Sequence, residues 1–141
     1  QTEQDLVDLR QNDEPGATTL DQMINIFEGL GGWEITSTYD LDDPDELKED
    51  MLISYLKEGT PVIVGWDDWG GHWLIAIGYD TMGTETTADD VVIMADPYDS
   101  TDHNQDGYII QPFERLYYNW SNNFDPDFER NIFLVAKPQN Y

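Results

Sequence analysis

At Pro61 the chain changes its hydrophobic period, and this change narrows the folds open to it more than any other feature. Before that point apolar residues fall at helical spacing; after it they come in short runs rich in valine and isoleucine. Leu20, Met23, Ile24, Phe27 and Leu30 share one helical face, with Thr18 or Thr19 as the cap and Gly31-Gly32 as the stop. Residues 2–11 suit a shorter helix burying Leu6, Val7 and Leu9, broken by turn chemistry over residues 12–16. WEITSTY, residues 33–39, reads as a strand. Asp43-Pro44 then offer a cap and a first-turn proline for a further helix to Glu58, burying Leu47, Met51, Leu52, Tyr55 and Leu56.

From Pro61 the runs PVIVGW, HWLIAIGYD, DVVIMAD, GYII and NIFLVAKP predict strands of a largely antiparallel sheet. Residues 81–90 have the polar composition of a hairpin loop between the second and third runs. Pro112 opens a short helix whose Phe113, Leu116, Tyr117 and Trp120 share a face, and SNNFDPDFE is a loop before the last strand. Helices first and strands afterwards give an α+β class rather than a parallel α/β fold, and 141 residues suit a single domain.

The chain has 30 acidic and 6 basic residues, for a net charge of −24. Such a surface repels nucleic-acid phosphates and anionic lipid, so neither nucleic acid binding nor membrane insertion is expected, and no run approaches the roughly 20 apolar residues of a bilayer span. The acids read as a solvated face, and their excess suggests a saline habitat or export to an extracellular or cell-surface setting. There is no cysteine, hence no disulfide, no thiolate metal site and no cysteine nucleophile within these residues.

The densest chemical signal is GTPVIVGWDDWGGHWLIAIGYD followed by DVVIMADPYD. His72 follows the Gly70-Gly71 turn at the start of one strand, and Asp96 ends the next apolar run, just before Pro97. If those strands pair through the loop at 81–90, the start of one lies opposite the end of the other and the side chains can meet. A carboxylate that accepts from one imidazole nitrogen fixes the tautomer and leaves the other free to take a proton. The competing reading is a satisfied histidine at a strand end and an aspartate that caps the Pro97 turn.

Gly59-Thr60-Pro61-Val62-Ile63-Val64, Gly71-His72-Trp73, Gly78-Tyr79-Asp80 and Asp96-Pro97 together resemble a papain-like cysteine peptidase of the C39-like kind, the group that includes the bacteriocin-leader peptidases. Upstream, DLVDLRQ and GATTLDQMINIFEGLGG resemble that family's segment between nucleophile helix and sheet, so the likeness extends over nearly the whole chain. It implies one papain-like α+β domain over residues 1–141, lacking the N-terminal nucleophile segment. His72 would be the general base, Asp96 the carboxylate that orients it, and a peptide or protein the substrate. In the family a cysteine opens an N-terminal helix, preceded by an oxyanion-hole glutamine. One alignment puts both upstream of Gln1; another sets Gln11 at the glutamine and Ala17 at the nucleophile. On either, this chain alone forms no thioester.

A second constellation lies in DPYDSTDHNQDGYI. Asp102, Asn104 and Asp106, spaced by two and followed by Gly107, begin like a calcium loop, with the Tyr108 carbonyl as the next ligand. The twelfth position is Phe113 rather than an acid, and no EF-hand helix precedes the run, so a solvated acidic loop is the competing reading. Catalysis of the papain type needs no cofactor; calcium here would be structural. Trp66, Trp69 and Trp73 flank His72: Trp73 is expected in the core, and the other two either pack or, with Asp67 and Asp68, wall a substrate groove. Two functions follow: a C39-like peptidase domain whose nucleophile lies outside this chain, or a catalytically inactive peptide-binding or cell-surface module with an acidic calcium loop.

Overall fold

A computed structural model describes residues 1–11, 16–43, 48–66, 71–99, 103–122 and 125–140. Its elements in chain order are α1 (Glu3–Leu9), α2 (Leu20–Leu30), β1 (Trp33–Ser37), α3 (Glu49–Lys57), β2 (Val62–Trp66), β3 (His72–Asp80), β4 (Val91–Ala95), β5 (Tyr108–Pro112), α4 (Phe113–Ser121) and β6 (Phe133–Pro138). The six strands form one sheet in the order β1-β6-β2-β3-β4-β5, every neighbouring pair antiparallel. This is the α+β arrangement that the shift in period predicts.

Alternation along the strands gives the sheet two unlike faces. On one, Val62, Val64, Trp66, Leu74, Ala76, Val92, Met94 and Phe133 meet Leu52 and Leu56 of α3 and Phe113, Leu116 and Trp120 of α4, all buried. On the other, α2 lies over β1 and β6, where Leu20, Ile132 and Leu134 are buried and Met23, Ile24, Phe27, Ile63 and Trp73 pack around them. Beyond this cover the second face is apolar and, among the described residues, open. The cross-strand row Ile75–Ala95–Tyr108 and the pair Ile93–Ile110 lie on it, with Tyr108 53% and Ile110 67% exposed.

A bulge between Ala76 and Gly78 shifts the register of β3 against β4. Ile75 and Ala76 face Ala95 and Met94, but Gly78 and Tyr79 face Ile93 and Val92. The extra residue, Ile77, reverses the alternation, so Tyr79 turns to the same core as Leu74 and Ala76. There its ring meets Phe113 edge-on at 5.6 Å, and its hydroxyl donates to the buried carboxylate of Asp90.

Some sequence expectations change. The first helix buries no residue, and Val7 is 40% exposed. It rests on α2 rather than on the sheet, with Leu9 lodged where Gly29 has no side chain: a Cβ there would meet Leu9 Cδ2 at 2.5 Å. The first strand stops at Ser37 instead of running to residue 39. Thr38, buried, turns its Oγ1 to accept the Phe133 N–H at 3.0 Å, and residues 38–40 form a 3-10 turn. The α3 helix begins at Glu49; Pro44 and Leu47, placed in it by the sequence, lie outside the described residues.

Candidate functional site

The β2–β3 and β3–β4 hairpins build the site from their ends. In the first, Trp66 is the cross-strand partner of His72, so the histidine is the first residue of the long strand β3. In the second, Ile75 pairs with Ala95, which brings the end of β4 beside the start of β3. Asp96 follows directly, its N–H bonded to the Gly107 carbonyl at 2.9 Å, so the loop that leaves β4 is held at its base.

His72 Nε2 and Asp96 Oδ1 are 2.8 Å apart, with the two side chains only 7% and 5% exposed. At that burial the contact is shielded from the screening that makes surface pairs weak. The Tyr98 N–H also donates to Asp96 Oδ1, at 2.9 Å, closing an Asx turn over Pro97. An oxygen that takes a backbone N–H is acting as acceptor, which assigns the donor role to Nε2 and makes Nδ1 the basic nitrogen of the neutral ring. Among the described residues none hydrogen-bonds Nδ1. Chemically, the pair is a fixed imidazole with one nitrogen committed to a carboxylate and one able to take a proton.

Sequence reasoning missed Tyr98. Its ring lies against the imidazole, centroids 4.7 Å apart and planes tilted by 51°, while the residue itself is 65% exposed. The Asp-Pro-Tyr order signals the turn; it does not signal where the ring lands.

A groove of about 420 Å³ has Asp96, though not His72, in its lining. Met23, Ile63, Trp73, Ile75, Ala95 and Pro97 line it, so it opens on the apolar face that α2 leaves uncovered. Trp73, expected in the core, is half-buried at its edge, and its indole N–H donates to the Thr18 carbonyl at 2.8 Å. Trp66 is buried; Asp67, Asp68 and Trp69 lie outside the described residues.

Of the calcium-ligand set, Asp102 lies outside the described residues. Asp106 Oδ1 accepts the Tyr108 N–H at 3.0 Å, Asn104 is exposed, and Tyr108 opens β5 opposite Ala95. Gly107 takes a left-handed φ of 81° and donates to Asp99 Oδ2 at 2.8 Å. Among the described residues no three histidine or acidic side chains come together as a metal site.

Two tyrosines have raised pKa values. Burial first, then the hydrogen bond to Asp90, lifts the Tyr79 phenol well above the ordinary tyrosine range; burial and the hydrogen bond to Asp127 do the same for Tyr39.

A comparison with protein families matches residues 16–124, or 109 of the 141, to the model described as Peptidase_C39 like family. No curated protein and no solved structure matches. The matched stretch holds α2 to α4 with both members of the His72–Asp96 pair, and the chain belongs to the C39-like peptidase family.

Proposed function

We propose that this C39-like family member is the base-bearing part of a cysteine peptidase that hydrolyses peptide bonds through a thioester. The buried His72–Asp96 contact carries the reading. In the proposed cycle His72 Nδ1 takes the proton of a thiol, and the thiolate attacks the peptide carbonyl carbon. As the C–N bond breaks, the leaving amine takes that proton back. Water then hydrolyses the thioester, its proton passing through the same nitrogen. Asp96 holds the ring orientation and stabilises the imidazolium while it exists.

The thiol comes from a segment outside these 141 residues, which contain no cysteine. The open apolar face of β3, β4 and β5 supports this part of the proposal. Contiguous exposed apolar surface of that kind marks a contact for another segment, and the groove joins it to Asp96. The expected substrate is a peptide or protein; among the described residues no helix is long and apolar enough to cross a membrane.

The test is thiol reactivity. In a chain that carries the cysteine-bearing segment ahead of Gln1, the cysteine is expected to react with an alkylating agent faster than in the same chain with His72→Ala, because the imidazole promotes the thiolate. Equal rates would remove His72 as its base and leave a peptide-binding module.

A further inference from the structure

We infer that Tyr98 is a positioning residue that locks the His72 imidazole by both its edge and its face. The inference rests on the proposed role of His72 and adds a residue to that machinery. Three observations carry it. The Tyr98 N–H and His72 Nε2 meet the same carboxylate oxygen, at 2.9 and 2.8 Å. The Tyr98 ring lies against the imidazole at 4.7 Å. The His72 side chain is only 7% exposed although Tyr98 is 65% exposed, so an aromatic that faces water lies over a histidine that does not.

Each contact removes a different freedom. Two donors on one oxygen fix the rotamer of the Asp96 carboxylate, which holds the imidazole in the direction of its Nε2–H bond. The aromatic ring opposes rotation about the last side-chain torsion of His72, which is soft when nothing packs on it. A half-turn about that torsion would take Nε2 away from Asp96 and reverse the direction of the basic nitrogen. The same ring slows the approach of water to the Nε2–H···Oδ1 bond. One three-residue turn, Asp96-Pro97-Tyr98, thus supplies the acceptor and the lid.

The experiment uses the 141-residue protein with ¹⁵N-labelled histidine and follows exchange of the His72 Nε2–H proton with water by NMR. Exposed His103 serves as the fast-exchanging internal reference. Tyr98→Phe should keep the slow exchange of the unaltered protein. Tyr98→Ala should speed it about three- to tenfold, the range expected from one aromatic contact. Far-ultraviolet circular dichroism of each variant confirms that the fold is retained. Unchanged exchange in Tyr98→Ala overturns the inference and leaves the His72–Asp96 reading intact. Absence of a protected Nε2–H in the unaltered protein overturns both.

Discussion

Removing the Asp96 carboxylate should cost the fold measurably more than neutralising it. Asp96 is 5% exposed, and its Oδ1 accepts from His72 Nε2 at 2.8 Å and from the Tyr98 N–H at 2.9 Å. Asp96→Ala leaves both donors without an acceptor, at about 1–3 kcal/mol each. The groove that touches Asp96 lets water replace part of what is lost, so the lower half of the summed range applies, roughly 2–4 kcal/mol. Asp96→Asn keeps an oxygen in place and loses only the charge assistance, about 1 kcal/mol or less. With about 2.1 cal/mol/K per residue, the 141 residues give an unfolding entropy near 0.3 kcal/mol/K, and Asp96→Ala should lower Tm by roughly 7–13 °C. Urea denaturation followed by tryptophan fluorescence measures the free energies. A double-mutant cycle with His72→Ala isolates the contact, since Asp96→Ala should cost less once the imidazole is gone. If Asp96→Ala and Asp96→Asn agree within about 0.5 kcal/mol, or the cycle shows no coupling, the two side chains do not hold one another as described.

Other parts of the fold give sharper tests of its long-range ties. Asp125, 6% exposed, accepts the Leu20 N–H at 3.0 Å and so caps α2 from 105 residues away; Asp125→Ala should destabilise by about 1–2 kcal/mol in the same urea assay. A loss no greater than that of the exposed Asp21→Ala would show the cap to be idle. Because the Tyr79 phenol is raised above its ordinary value, the folded state keeps a proton that the unfolded chain releases. Its contribution is complete below about pH 10 and is lost as pH climbs through the folded value. Alkaline melting curves of Tyr79→Phe should therefore fall less steeply than those of the unaltered protein, the slope that remains coming partly from Tyr39. Parallel curves would contradict the assignment.

What the sequence reveals of this molecule divides along the line between local and distant contacts. The α2 and α4 helices announce themselves because their apolar spacing, caps and stops lie within a dozen residues, and β2, β3 and β4 because hairpin neighbours need no distant partner. His72 and Asp96 are legible for the same reason: a hairpin joined through residues 81–90 sets the start of one strand beside the end of the next. No comparable rule places β6, which enters the sheet between β1 and β2 after a separation of about a hundred residues from β1. Nor does local pattern show the bulge at Ile77, although without it Tyr79 would face away from Asp90 and from the α4 core. Apolar residues at helical spacing misled in α1, because Leu6, Val7 and Leu9 satisfy the period whether the helix lies on a sheet or only on a neighbouring helix. Tyr98 falls between the two cases. Its N–H bond to Asp96 is written in the Asp-Pro-Tyr turn, but its ring meets His72 only because the β3–β4 register has already brought that turn to the imidazole. The site is thus readable up to the first contact that the sheet makes for it, and Tyr98 is the residue immediately beyond.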